Sequence, residues 1–273
     1  MKRKIEVFLM CFVLVLVFAI PKAPAATDNI GVVLLHGYKK TTKWIGPLVK
    51  QLKKSKIQVV TPEMTWSENR GWDVNLNETM TEIDNAVASL QKNGATKIYV
   101  GGHSIGGSVG LAYATEHKEI AGVLLISPHT NKMEGFQEQL AANVAYAKQM
   151  VSDGKGDEIV NFPGKLCPDI AKSHPKAKNA NWAVPTSSAI YLSYFDPDIK
   201  DVMPENFQKI SKNTAVLWVV AKSDSWISDA EKTFAMAPHN PSNKFIIVKG
   251  VKLQAPDKGK KEIVSWVMET GSM

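Results

Sequence analysis

The sequence has little cysteine and no apolar segment of membrane-spanning length. Its two cysteines are Cys11 and Cys167, and Cys11 falls within the longest apolar run, Val7 to Ile20. If that run is removed on export, only Cys167 is left, and no intramolecular disulfide can form even in an oxidising compartment. The run has 14 residues, whereas a transmembrane helix needs about 20.

The amino-terminal residues predict an export signal. Basic residues at positions 2–4 precede the apolar run, and Ala23 and Ala25 are small residues before the expected cleavage point. This order is typical of a signal peptide over residues 1–25, and a retained anchor is the alternative. We therefore expect a mature chain of residues 26–273 that is periplasmic or secreted, with no stable membrane anchor after signal removal.

The charge and motif content exclude several classes of function. Removal of residues 1–25 takes away four bases and one acid, which lowers the net charge from +7 to +4. The remaining lysines are scattered with acids between them, which favours a solvated surface over a nucleic-acid patch. The sequence contains no repeat, no phosphate-binding loop and no cluster with metal-ligand spacing. We predict no cofactor, no metal and no nucleic-acid partner, and the oligomeric state is left open.

Short β-branched runs alternate with helical patterns along the mature chain. Most of the runs are apolar throughout, as in parallel strands covered on both faces. The alternation predicts an α/β fold with a doubly wound, mostly parallel sheet. The expected strands are 30–36, 57–62, 97–102, 121–127, 215–221 and 244–250, and the expected helices are 43–54, 76–93, 105–116, 228–236 and 258–269.

One interval, about 130–206, is too long for an ordinary crossover between strands. It contains a helical stretch and a segment rich in aromatic residues and prolines. Long insertions of this kind are usually lids or binding loops, so we expect a helical lid insertion. The aromatic residues could form the core of the insertion, a substrate cage, or both.

A G-x-S-x-G sequence, Gly102 to Gly106, follows the third expected strand directly and opens a helix. The pattern alone is weak, because glycine and serine are common, but its position between strand and helix gives it meaning. Ser104 would occupy a strained turn with its hydroxyl exposed at the carboxyl edge of the sheet. The backbone N–H of Ile105 would point at a developing oxyanion.

A second loop at this edge is His36-Gly37-Tyr38, at the end of the first expected strand. The backbone N–H of Tyr38 is the expected second oxyanion donor, and a plain turn is the alternative.

These elements resemble the α/β-hydrolase superfamily over nearly all of residues 29–270. A PEM-W-S segment at 62–67 is similar to one in a compact exported subgroup of serine hydrolases. The resemblance implies an acid after the next-to-last strand, where Asp224 stands, although an exposed loop aspartate is the alternative. It also implies a histidine after the last strand, and the chain has Lys252 and Leu253 there.

The candidates for the missing base differ in their position relative to the sheet. A lysine has a reference pKa near about 10.4 and would need a downward shift of roughly three units to act near neutrality. An adjacent Asp224 favours the ammonium form, so we expect a Lys252–Asp224 ion pair. His239 precedes the last strand, and we expect it about 20 Å from the carboxyl edge of the sheet, where Ser104 would lie. His129 is the best replacement, or else a lid-hinge or substrate contact.

The sequence thus predicts an exported serine hydrolase for carboxylic esters or related small acyl substrates, with a depleted triad. Ser104 would be the nucleophile and Asp224 the orienting acid. The alternative is a non-catalytic binding protein on the same scaffold. In that protein Arg70, after the second strand, could hold a ligand carboxylate, or it could be an ordinary surface arginine.

Overall fold

A computed structural model describes residues 29–128, 137–163, 183–196, 198, 205–224 and 227–272. Their strands, in chain order, are β1 (Ile30–Leu35), β2 (Gln58–Val60), β3 (Lys97–His103), β4 (Gly122–Ile126), β5 (Ile159–Phe162), β6 (Val184–Ser187), β7 (Ala215–Ala221) and β8 (Lys244–Val248). Within these residues, six strands form one sheet in the order β2-β1-β3-β4-β7-β8. All neighbouring pairs of this sheet are parallel.

Helices connect the strands. They are α1 (Gly46–Lys54), α2 (Leu76–Lys92), α3 (Ile105–Glu116), α4 (Gln137–Ser152), α5 (Ser188–Phe195), α6 (Ile227–Phe234), α7 (Ala255–Lys258) and α8 (Lys260–Gly271). Short 3-10 turns occupy Thr42–Ile45, Glu205–Lys209 and Lys252–Gln254. Among the described helices, none combines the length and the hydropathy needed to cross a bilayer.

The predicted doubly wound parallel sheet is confirmed. Every residue of β1 is buried, and successive residues face opposite sides because strand side chains alternate. Val33 and Leu35 pack into the core on one face, with α2 and α3, while Val32 and Leu34 pack into the core on the other, with α1 and α8. Burial on both faces explains why the strands read as unbroken apolar runs.

The helix predicted over 76–93 forms as α2, and its start is fixed by side chains. Asn75 accepts from the backbone of Glu78, and the Glu78 carboxylate accepts from the backbone of Asn75. This reciprocal capping box satisfies two amide groups that the helix itself leaves unpaired. Ile83, Val87 and Leu90 then face the core, as their spacing predicts.

The predicted insertion, about 130–206, falls between β4 and β7, where the described elements are α4, β5, β6 and α5. β5 and β6 pair antiparallel in a separate small sheet, with Phe162 opposite Val184. The rings of Phe162 and Tyr191 stack at 3.9 Å, and the Asn143 amide donates to the Tyr191 hydroxyl at 3.0 Å. Aromatic residues therefore do form an internal core of the insertion, while its action as a lid stays a prediction.

Because the six strands are parallel, their carboxyl ends meet at one edge. The loops that leave this edge begin at His36, Ser104, Ser127, Lys222 and Lys249. The residues expected to be functional after β1, β3, β7 and β8 thus share one side of the sheet. The predicted signal peptide, residues 1–25, lies outside the described residues.

Candidate active site

Ser104 stands on a strained turn between β3 and α3. Its φ is +54° and its ψ is −122°, and α3 begins at the next residue. A non-glycine residue with positive φ is uncommon and is held there by its surroundings. The Ser104 amide donates to the Ile126 carbonyl at 3.0 Å, and the Ser104 carbonyl accepts from Gly107 at 3.0 Å. None of the described residues hydrogen bonds with its hydroxyl.

The turn is packed directly against the loop after β1. A Cβ atom on Gly37 would lie 2.7 Å from Nδ1 of His103 and 3.5 Å from Cβ of Ser104. A Cβ atom on Gly106 would lie 2.7 Å from the His36 carbonyl oxygen. Side chains at either glycine would therefore push the two loops apart. The glycines allow the backbone of residues 36–38 to approach the serine.

The same loop presents Tyr38 next to the serine turn. The amides of the following residues hold the loop in shape, since Lys39 donates to Trp66 at 3.0 Å and Lys40 donates to Gly37 at 3.2 Å. Gly37 is thus the residue of this loop that lies against Ser104, and Tyr38 follows it directly in the chain.

His36 ties this loop to the 62–67 segment. Its Nδ1 donates to the Gly37 carbonyl at 2.9 Å, and its Nε2 accepts from the Met64 amide at 3.0 Å. These partners require a neutral ring with the proton on Nδ1, and burial lowers the pKa of His36. The His36 carbonyl also accepts from the indole of Trp66 at 2.9 Å. The His36 side chain and carbonyl therefore join the loop after β1 to the 62–67 segment.

Lys252 is a buried ammonium at the meeting point of three strand ends. Its Nζ donates to the Ser127 carbonyl at 2.8 Å and to the Pro128 carbonyl at 3.3 Å. The same atom lies 3.8 Å from an Asp224 carboxylate oxygen, and both side chains are 2 % exposed. The predicted ion pair is present. An ammonium has three donors and no acceptor, so this group holds the loops after β4 and β7 together.

Asp224 follows β7, in a loop that is joined to the loop after β8. Lys222 donates to Val248 at 2.7 Å and Ser223 donates to Gly250 at 3.2 Å, while the Asp224 amide donates to Ala221 at 2.9 Å. These bonds continue the pairing of β7 with β8 beyond the strands. They hold the carboxylate of Asp224 beside the ammonium.

His103 fills the space between the serine turn and the Lys252 loop. Its Nε2 donates to the Lys252 carbonyl at 3.2 Å, and its Nδ1 has no partner among the described residues. Burial, with the Lys252 charge as the second cause, lowers the pKa of His103 to about 3. The neutral ring packs against Gly37 on one side and supports the Lys252 backbone on the other.

Comparison with known proteins identifies the family. The sequence profile described as "Serine aminopeptidase, S33" matches residues 28–244. The chain belongs to this S33 family. It is therefore a member of the α/β-hydrolase superfamily, as its motifs predict. No protein of curated function matches this S33 sequence.

Several solved structures share the S33 fold. A monoacylglycerol lipase from Paleococcus ferrophilus is 21% identical with a TM-score of 0.63, and the match covers 88% of this chain and 94% of that one. A carboxyl esterase from Bacillus coagulans is 13% identical with a TM-score of 0.62, covering 88% and 89%. A monoglyceride lipase from Saccharomyces cerevisiae is 15% identical with a TM-score of 0.59, covering 90% of each chain. At these identities the likeness shows the fold.

Arg70 has partners other than a ligand carboxylate in this S33 protein. Its Nε donates to Asp73 at 2.9 Å, and its two terminal nitrogens bind Glu82 at 2.7 and 2.8 Å. One of them also donates to the Glu63 carbonyl at 2.7 Å. The hypothesis that Arg70 holds a ligand is therefore not supported. The guanidinium instead fixes the loop after β2 to α2.

The remaining histidines are not brought to Ser104 within the described residues. His129, the suggested base, lies outside the part of the chain that the structure describes. His239 precedes β8, at the amino edge of the sheet, because β8 runs parallel to β7. His117 follows α3, where it stacks on Tyr113 at 3.9 Å and contacts Glu119 at 3.2 Å. In the described ranges, no three His, Cys, Asp or Glu side chains could hold a metal.

Trp72 is a residue of the site region that the sequence did not single out. It has a φ of +62°, is 3 % exposed and lies among aromatic rings from the loops and the insertion. Its preceding residue, Gly71, is the only local sign of an unusual turn. The contacts that hold Trp72 in place are with residues distant in sequence and cannot be deduced from its sequence neighbours.

Proposed function

We propose that this protein is an exported serine hydrolase acting on carboxylic esters or related small acyl substrates, with a depleted triad. Ser104 is the nucleophile, Asp224 is the acid, and the backbone N–H groups of Ile105 and Tyr38 bind the oxyanion. Lys252 occupies the position expected for the triad histidine. Residues 130–206 form a lid over the site, and residues 1–25 direct export. The proposed reaction uses no metal and no other cofactor.

The observation that carries this proposal is the backbone of Ser104. A serine at φ +54° between a buried strand and the first turn of a helix is a nucleophile elbow. Strained residues of this kind cluster at functional sites. The adjacent loop supplies the other half of an oxyanion hole, since Gly37 lets its backbone approach the serine. The esterase and lipase neighbours with this fold support an acyl substrate.

The weak point of the reaction is the proton of Ser104. Attack on an ester carbonyl transfers that proton to a base, and a leaving alkoxide then takes a proton back. The Lys252 ammonium has no lone pair to accept it, and its N–H donors point to two carbonyls and to Asp224. We therefore expect turnover at the residual level, roughly 10³–10⁴-fold above water, that remains when a triad member is lost.

The charged state of Lys252 also favours a second candidate, a non-catalytic binding protein. The ammonium stabilises the strand ends in their present arrangement and would do so whether or not Ser104 reacts. Such a protein would use the same edge of the sheet to hold a small acyl ligand without hydrolysing it.

A fluorophosphonate probe separates the two candidates. We expect stoichiometric labelling that Ser104→Ala abolishes, together with slow hydrolysis of p-nitrophenyl acetate that the same substitution lowers. Ser265→Ala is the matched control, because Ser265 is exposed on α8 and bonds only to Glu269 among the described residues. An inert Ser104 in a folded protein would favour the binding protein.

Ester and peptide substrates can be told apart with matched leaving groups. The family description names aminopeptidases, and expulsion of an amine needs a proton from the imidazolium that forms in an ordinary triad. Expulsion of p-nitrophenolate does not. We therefore expect hydrolysis of p-nitrophenyl esters and none of aminoacyl p-nitroanilides.

A further inference from the structure

Trp72 has a backbone conformation that is unusual for so bulky a residue. Its φ of +62° lies in the left-handed region, which costs free energy for any residue with a side chain. The strain is maintained by bonds on both sides of the residue. The Trp72 amide donates to the Thr65 carbonyl at 2.7 Å, and the Trp72 carbonyl accepts from the Thr186 hydroxyl at 2.9 Å. Thr186 belongs to β6, within the insertion.

This backbone conformation places the indole ring between the loop of residues 36–38 and the insertion. Ring centroids of Tyr194 and Phe195, on α5, lie 4.9 and 5.4 Å from that of Trp72. The ring of Tyr38 lies 5.9 Å away on the other side. Trp72 therefore contacts the insertion and the loop of Tyr38 at the same time.

The Tyr38 side chain is also held from two directions. Its hydroxyl donates to the Ala183 carbonyl, next to β6, at 3.2 Å. The buried indole N–H of Trp72 makes no hydrogen bond to a described residue, and Trp72 contacts Tyr38 through their rings. Burial raises the pKa of Tyr38 to about 12, so the hydroxyl stays a donor at physiological pH.

We propose that Trp72 and the Tyr38 side chain are positioning residues that transmit the placement of the insertion to the oxyanion hole. β6 and α5 hold Trp72, Trp72 and Ala183 hold the Tyr38 side chain, and the side chain fixes the direction of the Tyr38 backbone N–H beside Ser104. This inference rests on the proposed function, in which that N–H binds the oxyanion. Small misplacements of such a donor lower the rate of the chemical step more than substrate binding.

Two variants test the chain of contacts. Tyr38→Phe keeps the ring and removes the bond to Ala183, and Trp72→Leu removes the ring that holds Tyr38. We expect kcat for p-nitrophenyl acetate to fall about tenfold in Tyr38→Phe and up to about a hundredfold in Trp72→Leu, with KM within about twofold. Tyr191→Phe is the matched control, because its hydroxyl bonds to Asn143 inside the insertion. It should leave kcat unchanged.

Hydrogen exchange tests the coupling without any need for turnover. In Trp72→Leu and Tyr38→Phe, amides of residues 36–40 should exchange at least about tenfold faster than in the unaltered protein, while those of β4 keep their protection. Unchanged exchange in residues 36–40, or an equal effect in Tyr191→Phe, would overturn the inference. If exchange rises but Ser104 of the unaltered protein does not react with a fluorophosphonate, the coupling stands and the proposed hydrolase function fails.

Discussion

The Nζ atom of Lys252 lies 3.8 Å from a carboxylate oxygen of Asp224, and both side chains are almost wholly buried. The pair joins the loops that follow β7 and β8, at the edge of the sheet that carries the half-buried Ser104. Two backbone carbonyls complete the surroundings of the ammonium. The position expected to hold a catalytic base thus holds a cation with a structural role, and the following predictions depend on that arrangement.

Lys252→Met should destabilise the protein strongly. Removal of one partner leaves the buried Asp224 charge uncompensated, which typically costs about 3–5 kcal/mol. The double variant Lys252→Met with Asp224→Asn should recover part of that loss, because neither partner is then charged. Urea unfolding of the unaltered protein, of Lys252→Met, of Asp224→Asn and of the double variant gives the coupling energy between the two side chains. If the losses of stability in the two single variants add up to the loss in the double variant, the two groups do not interact.

Gly37→Ala should impair the site while leaving the fold intact. The new Cβ would meet Nδ1 of His103 at 2.7 Å and move the loop away from Ser104. We expect fluorophosphonate labelling of Ser104 to slow by about tenfold or more. Gly46→Ala is the control, because a Cβ there meets nothing within 4 Å. Equal labelling rates in the two variants would contradict the proposed contact.

His103 should make stability depend on pH. Its folded pKa is lowered to about 3 from an ordinary 6.5, so between these values the unfolded chain binds a proton that the folded chain does not. The free energy of unfolding therefore falls as pH falls below 6.5, by up to about 1.4 kcal/mol per pH unit. His103→Gln should remove this contribution between pH 6 and 5. Parallel pH profiles of the two proteins would show that His103 is not titrating as described.

The exported protein should begin near Ala26. The basic start, the short apolar run and the small residues before position 26 together predict cleavage there. Intact mass and amino-terminal sequencing of material from the cell exterior or periplasm measure this directly. Exported material that begins at Met1 would refute the signal peptide.

The main sheet could be predicted from the sequence because its strands are buried on both faces and read as apolar runs. The ion pair of Lys252 and Asp224 followed from the topology, since parallel strands bring both loops to one edge. The small sheet of β5 and β6 was missed, because Pro185 and the short polar pattern around it do not suggest a strand.

The site could be predicted only where local pattern decides geometry. Ser104 and its flanking glycines are close together in sequence, so their turn can be predicted from the local pattern. The partners of Arg70 cannot be predicted in this way, because Glu82 lies on α2, twelve residues further along the chain. The strained backbone of Trp72 depends on Thr65 and Thr186, which no local pattern joins to it.

The most direct measurement is the rate of p-nitrophenyl acetate hydrolysis before and after Lys252→His, with Leu253→His made in parallel. The account predicts slow turnover in the unaltered protein and a rise of at least about a hundredfold in one of the variants, because an imidazole beside Asp224 can take the Ser104 proton. Circular dichroism checks that each variant is folded. Ordinary enzymic turnover by the unaltered protein, with no gain from either substitution, would contradict the depleted triad and would make His129 the first candidate for the base.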